Sequence, residues 1–539
     1  MTKVGTVLSG STVLRAEADL TKDYEARAKV GEYVIIRDKD TNEQLLARIA
    51  ELNPHHEFYK RGDAYAASRR EGYSIPAGLG MQYVSCVLDI LGKLETVAGS
   101  VKLVRARKSP TPGSDVELAD ENTLKNVFSA SDSDGSYIKF AKLLYYPNVK
   151  IALRLSRVTE HIAIFGKTGS GKSFDAGALI EALQNIEVEG KKYRYPVLVI
   201  DHHGDYVNIP LARGFKGEVY SYSPEPRSYK VKVGKDEIKE VKHTQLKIDL
   251  SMLNASDVAE LIVKFYAGTI TESESRQIEG FRRALEKWGQ QRFNSITDPG
   301  FEDIIKDLTT KDEIHRSTAE AMKRALSRFK SKVGPIIGPY PYDEWLDNIT
   351  GKHTGVHVID HSPEGSPDID IELKQLILGY LCQIIFNWFT KNPGRYLLIV
   401  VEEAQNYAPR VTEYKVGKPA LSADGLSVLA TQGRKFGASL CLITQRPGFL
   451  DRAIISQCNT FLIKRISPED KSYVLTAIGG LPKDYEERLT ILDREELIIA
   501  GTMLKHDFPI IAQIDATDRT VPHAIEEKDP VEVFKTLQP

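Results

Sequence analysis

Residues 161–183 run from a short apolar strand, His161–Phe165, into Gly166-Lys167-Thr168-Gly169-Ser170-Gly171-Lys172-Ser173, and on into a helix-compatible segment, Phe174–Leu183. Glycines at 166, 169 and 171 let the backbone take turns that a Cβ blocks. The amide groups then point inward, at the positive end of the following helix. Such a loop cradles phosphate oxygens, with Lys172 reaching the β- and γ-phosphates and the Ser173 hydroxyl on a magnesium ion. A glycine-rich turn with a stray lysine is the competing interpretation. The strand before and the helix after favour a phosphate cradle, and with it an α/β fold. ATP and Mg2+ are the expected ligands, held along Gly166–Phe174.

The 539 residues suffice for about two to four domains and at least one large core. Lys and Arg total 72 against 74 Asp and Glu, a formal charge of −2, so no global basic field draws in nucleic acid. Any DNA contact must be local, for instance concentrated by ring symmetry in a pore. The four cysteines, Cys86, Cys382, Cys441 and Cys458, form no C-x-x-C pair. They read as reduced core residues of a cytoplasmic protein, not as zinc ligands or a disulfide framework. The first residues lack the apolar region of a signal peptide. Leu376–Phe389, the most apolar helix candidate, is short and contains Gln383 and Asn387, as a buried helix would. No membrane segment is expected.

Residues 1–125 carry short β-type runs (Gly5–Leu8, Tyr33–Arg37, Leu45–Ile49, Tyr83–Leu91, Ser100–Val104) between turn signals, the pattern of a small barrel. Ser109–Ser114 and Ser129–Ser136 read as exit connections. From 137 to 515 strands and helices alternate. Expected strands are His161–Phe165, Pro196–Ile200, Val356–Ile359, Tyr396–Val401, Ala438–Thr444, Thr460–Lys464, Glu496–Ala500 and Phe508–Ile514. Their nearly continuous apolar character suits a mostly parallel sheet buried on both faces. A polar, helix-periodic block interrupts them, giving a core in two parts, 137–251 and 346–515, around a helical insertion at 252–345. Asn254 or Ser256 caps its first helix. The basic run Lys323, Arg324, Arg328, Lys330, Lys332 is either a solvated helix face or a phosphate-contact strip. Residues 516–539 form a short polar tail with no core of their own.

In open α/β sheets ligands sit at the carboxyl ends of strands, and four of the expected strands end in residues suited to ATP hydrolysis. One ends in the phosphate loop; others end in Asp201-His-His-Gly-Asp205, Glu402-Glu403-Ala-Gln405 and Thr444-Gln445-Arg446-Pro447. Phosphoryl transfer to water needs a metal, an oriented water and stabilisation of charge on the γ-phosphoryl group. Glu402 fits the metal and Glu403 the base that polarises water; alternatively the pair opens a helix as dipole partners. Gln445 either senses the γ-phosphate or forms the turn before Pro447. Asp201 either binds metal or water, or caps the next segment. His202 and His203 are adjacent and point apart in an extended chain, which argues against shared metal ligation. Arg434, in Gly433-Arg-Lys-Phe-Gly437, is either an arginine that enters a neighbour's ATP site or part of a basic helix terminus.

The ordered set, from the phosphate loop through Ile200–Tyr206, Val401–Pro409, Gln432–Ala438 and Thr444–Pro447, resembles the HerA family of the HerA/FtsK branch of P-loop ATPases. Val4-Gly-Thr-Val7 and Pro112–Val116 are similar to the small barrel, the HAS barrel, that precedes the motor in this family. The resemblance implies a RecA-like core and a homohexameric ring with ATP between subunits and double-stranded DNA in the central channel. It also implies a partner facing the barrel: a NurA-like nuclease, or in anti-phage modules a nuclease or sirtuin-like NADase effector. The family's trans-acting arginine carries over onto Arg434. Two departures stand out. The usual Asp-Glu is Glu402-Glu403 here, moving the first carboxylate by about 1.5 Å. A family arginine shortly before the phosphate-loop strand has no clear equivalent, since Glu160 precedes His161; Arg157 is the nearest candidate.

Three functions follow as alternatives: a DNA translocase, a ring scaffold that ATP switches to activate an effector, and a conjugation-type ATPase at a membrane. The last is disfavoured by the lack of a membrane segment. Arg410, Lys415 and Lys418, after the acidic strand end, favour the first if they line a pore.

Overall fold

The computed structural model describes residues 2–60, 62, 65–74, 81–97, 100–130, 134–234, 237–410, 417–418, 420–522 and 524. The amino-terminal strands close on themselves. Antiparallel pairings run Arg15–Leu20, Lys3–Val7, Asp115–Leu118, Tyr33–Arg37, Gln44–His56, Gln82–Val97, and the last pairs back with the first. The result is a six-stranded barrel, with Ser100–Val104 attached outside to Gln82–Val97. Register shifts between Leu46 and Ala47 and between Ile49 and Glu51 supply the bending that closure requires. Val4, Val34, Ile36, Ala47, Ile49, Leu88 and Val116 fill the interior. Two barrel strands, Arg15–Leu20 and Asp115–Leu118, carry charged residues at alternate positions and lack the apolar clustering that marks the others.

The second unit is a twelve-stranded sheet. Eight strands are parallel, in the order 244–245, 219–221, 356–360, 197–201, 397–401, 438–444, 162–165, 460–463; four antiparallel strands follow at one edge, 496–501, 510–513, 137–143 and 146–154. The mostly parallel sheet expected from the apolar runs is therefore present, extended by the hairpin Tyr137–Leu143/Tyr146–Arg154. Alternate residues of Val197–Ile200 enter two separate cores, Leu198 and Ile200 on one face, Val197 and Val199 on the other. Burial on both faces explains the unbroken hydrophobic runs.

Helices Ala255–Ala267, Glu272–Trp288, Pro299–Thr310 and Arg316–Lys332 form the block between strands. The Asn254 side chain caps the first, accepting from the Asp257 amide at 2.9 Å. The basic run lies partly in ion pairs, Arg328–Glu372 at 2.6 Å, Lys330–Glu302 at 2.8 Å and Lys332–Asp370 at 2.7 Å, while Lys323 and Arg324 are exposed. It is a salt-bridged helix face. Part of the carboxyl-terminal segment is docked on the sheet unit: Val521 is buried, as is Arg519. The residues after 524 lie outside the described residues, as does Lys415.

Arg48 joins the two units. From inside a barrel strand its guanidinium donates to Asp484 at 2.5 and 3.0 Å and to Asp89 at 2.8 Å, and it lies 4.4 Å over the Tyr485 ring. Its side chain is 3% exposed. Truncating one partner of a buried charge network strands the others, so Arg48→Ala should destabilise the chain by about 3–5 kcal/mol. Differential scanning calorimetry checks this; a melting curve superimposable on the native one refutes it.

Candidate active site

The strand Ile162–Phe165 lies between Ala438–Thr444 and Thr460–Ile463 in the sheet, and Leu397–Val401 is the next strand beyond Ala438–Thr444. With strands about 4.8 Å apart, the phosphate loop and the acidic strand end stand two strand spacings from each other. The tip of the intervening strand, Gln445, fills the gap. All four ends are on one side because all four strands are parallel.

The loop has the backbone a phosphate cradle needs. Gly169 and Gly171 have φ of 74° and 95°. A Cβ at Gly166 would stand 2.5 Å from Ser170 Oγ and 3.0 Å from Lys172 Cγ. The buried Ser170 hydroxyl has no hydrogen-bond partner among the described residues, as expected of a group in a site for polar ligands. Lys172 opens the helix Lys172–Leu183 and is buried. Burial lowers its pKa, against the charges of Glu403, Glu402 and Asp205, which act to keep the ammonium. These residues fit a triphosphate, which brings negative charge to a lysine already held in place.

Glu403 is aimed by its backbone. Its φ and ψ of 50° and 46° are left-handed, a conformation a non-glycine residue adopts at a cost of about 1–3 kcal/mol. Its Oε2 accepts from Gln445 Nε2 at 3.1 Å and also from Gln405 Nε2. Thr444 Oγ1 donates to Gln405 Oε1 at 2.6 Å, and Thr168 Oγ1 of the phosphate loop donates to Gln445 Oε1. One hydrogen-bonded chain therefore runs from the phosphate loop through Gln445 to Glu403. Gln405, Thr444 and Thr168 are its further members; nothing in the residue pattern assigned the first two a place at the site.

Glu402 binds backbone. Its Oε2 accepts from the amides of His202 and His203 at 2.9 and 3.1 Å. Burial raises its pKa well above the usual range, and the neighbouring Asp201, Asp205 and Glu403 raise it further. Asp201 is fully buried and accepts from the amides of Gly204 (2.8 Å), Asp205 (3.0 Å) and Tyr206 (2.8 Å). Of its two readings the structure shows the cap: the carboxylate organises the loop and presents no exposed oxygen to a nucleotide. Burial, then Asp205 and Asp360, push its pKa up to about 7. Asp205, half-buried in that loop, adds a third negative charge near Lys172 after those of Glu403 and Glu402, a role the motif alone did not single out. His202 turns to Tyr407, with Nδ1 3.0 Å from its hydroxyl. No metal-binding cluster of His, Cys, Asp or Glu is found among the described residues.

Arg434 is elsewhere. The turn Gly433–Phe436 leads into Ala438–Thr444 at its amino end, whereas Gln445 follows its carboxyl end. Seven residues of strand put about 20 Å between them. Arg434 donates instead to Glu160, as does Arg157, and Thr502 Oγ1 donates to the other Glu160 oxygen at 2.7 Å. Burial opposes the charge on Glu160, but these hydrogen bonds and the two guanidinium groups outweigh it and lower its pKa. Both arginines are about half exposed (51% and 44%), while the Glu160 side chain is 4% exposed. Lys418 is also accounted for: its ammonium donates to the Phe265 carbonyl at 2.6 Å and to that of Tyr266, closing a helix end. All four cysteines are free and buried, and no described helix is long and apolar enough to cross a membrane.

The chain is similar to known proteins over most of its length. The family model described as "Helicase HerA, central domain" matches residues 138–385. The DNA double-strand break repair helicase HerA of Sulfolobus acidocaldarius is 25% identical over 95% of this chain and 93% of its own length. Its namesake from Pyrococcus furiosus is 26% identical over 92% and 90%. Among solved structures, the plasmid coupling protein TrwB bound to a non-hydrolysable GTP analogue aligns with a TM-score of 0.49 and 13% identity, over 76% of this chain and 95% of that one. Alignment with the curated relatives runs through the barrel as well as the nucleotide core, and the part matched by the HerA central-domain model holds the phosphate loop and its helix.

Proposed function

We propose that this ATPase is a homohexameric motor that moves double-stranded DNA through a central channel, with a partner at the barrel. Lys172 and the loop amides bind the triphosphate. Glu403 takes a proton from the attacking water, Gln445 reports the γ-phosphate to Glu403, and Arg434 of the adjoining subunit stabilises charge on the transferred group. A magnesium ion at Ser173 and Glu402, with Asp205 close by, would neutralise phosphate charge. The observation that carries the proposal is the separation within one chain: the phosphate loop follows the carboxyl end of one strand, and Arg434 precedes the amino end of its parallel neighbour. Each subunit then holds half of two sites, which suits a ring. The names of the relatives supply the DNA and repair context.

The partner is a nuclease of the NurA kind, or a nuclease or NADase effector in anti-phage defence. The second possibility, a scaffold switched by ATP, draws support from Lys418, whose charge is spent on helix carbonyls instead of a channel. Steady-state ATPase assays with and without duplex DNA separate the two. The translocase requires stimulation by duplex, and six phosphate contacts, one per subunit, would weaken DNA binding by roughly 10³-fold between 50 and 200 mM salt. A rate unmoved by saturating duplex, with the partner present, supports the scaffold and rejects the motor.

A further inference from the structure

The helix that begins at the phosphate loop is gripped by the far end of the chain. On one of its faces, Phe174, Gly177 and Glu181 recur at the spacing of neighbouring turns. Arg519 lies along that face. Its Nε donates to Glu181 Oε1 at 3.0 Å, and its guanidinium carbon is 5.1 Å from the centre of the Phe174 ring. A Cβ at Gly177 would stand 2.4 Å from the same carbon, so only glycine leaves room for the guanidinium. The next residues complete the grip: the Thr520 amide and hydroxyl donate to Glu181 Oε2 at 2.8 and 2.7 Å, and the Val521 amide to Oε1 at 3.3 Å.

Two features set this contact apart from ordinary packing. Arg519 and Glu181 are 2% and 6% exposed in their side chains, yet Arg519 Nη2 has no hydrogen-bond partner among the described residues. One turn closer to the loop, Asp175 is an equally buried acid, 3.1 Å from Lys464 Nζ. Lys464 in turn backs the loop itself, since a Cβ at Gly171 would stand 3.6 Å from its ammonium nitrogen. A row of alternating buried charges, Lys464, Asp175, Arg519, Glu181, therefore runs along the helix from its first to its third turn. Arg519 is its only member from the carboxyl-terminal segment. The segment is pinned on its outer side by Lys142, which reaches Asp515 at 2.8 Å and Asp518 at 3.1 Å.

We infer that Arg519 is a positioning residue for the phosphate loop, and that nucleotide binding and docking of residues 515–522 strengthen each other. Phe174, which follows the hydroxyl residue of the loop, is the physical link: the arginine packs on its ring. An incoming triphosphate that fixes the first helical turn also fixes the surface against which Arg519 and Glu181 are held. By reciprocity, the docked segment raises nucleotide affinity. This rests on ATP binding at the phosphate loop, and the experiment reads that binding separately.

Hydrogen exchange on the full chain, with and without saturating ATPγS and Mg2+, is the test. Amides of the phosphate loop report binding; the amides of Thr520 and Val521 report docking. We expect both to slow, those of Thr520 and Val521 by about tenfold, and neither to change in Lys172→Ala. Protection of the loop with no change at 520–521 overturns the inference. Absence of protection at the loop itself would instead remove the nucleotide site on which it rests. Kinetics give a second readout. Arg519→Gln should raise KM for ATP about tenfold while kcat changes less than about twofold, and Arg519→Lys should recover most of the loss. A fall in kcat at constant KM would count against positioning. If Arg519→Gln does not fold, exchange on the native chain still decides.

Discussion

Replacing Arg434 by alanine is expected to lower kcat by about 10³-fold or more with little effect on ATP affinity, the range for an arginine that meets the transferring phosphoryl group. The structure makes the experiment clean. Without Arg434, Glu160 keeps its bonds to Arg157 and Thr502, so the carboxylate is not stranded and the fold should hold. The geometry also dictates which kind of loss to expect. Since Arg434 sits at the amino end of a strand whose carboxyl end carries Gln445, it can serve only a nucleotide bound by another copy. Mixing Arg434→Ala with a variant defective on the opposite side of the interface should therefore restore activity at junctions that pair an intact arginine with an intact phosphate loop. No recovery in the mixture, or native turnover by Arg434→Ala alone, excludes the assignment.

The partner variant in that mixture is Glu403→Gln. It should bind ATP as the native protein does and hydrolyse it about 10²–10⁴-fold more slowly, the usual contribution of a general base. Glutamine preserves the length of the side chain and can still bond Gln445 or Gln405, so the left-handed backbone at 403 has no new reason to relax. What is lost is a lone pair basic enough to take a proton from water. Binding of a fluorescent ATP analogue together with single-turnover hydrolysis measures the two properties apart. Equal hydrolysis rates in Glu403→Gln and the native chain would move the base elsewhere, with Asp205 the next carboxylate to test.

The sequence was legible where one physical requirement fixes one residue type. Strands buried on both faces must be apolar throughout, which exposed eight strands of the sheet almost to the residue. A phosphate cradle must have glycines at set positions, and a catalytic acid must follow a buried strand. Other features carry no such mark. The barrel strands 15–20 and 115–118 were missed because half of their residues are charged and face solvent or a neighbour. The hairpin 137–154 mixes lysine with apolar residues and joins the sheet at an antiparallel edge, where only one face needs to be greasy. Asp201 shows the limit for side chains: an acid at a strand end looks the same whether it binds a ligand or three amides, and only the loop's conformation decides. Arg434 was left open between finger and helix terminus. Its distance from the loop of its own chain follows from strand direction, which no local pattern encodes.

The order of strands has a consequence for biosynthesis. The strand leading into the phosphate loop is complete at Phe165, yet both strands that flank it, 438–444 and 460–463, come later, the first beginning 273 residues further on. At ribosomal speeds of about 5–20 residues per second, that is a wait of roughly 14–55 seconds. Through that interval a nascent chain carries the whole phosphate-loop motif with neither neighbour available to hold it, and so cannot capture ATP. Enzymatic competence arrives only after the strand Thr460–Ile463 has been made.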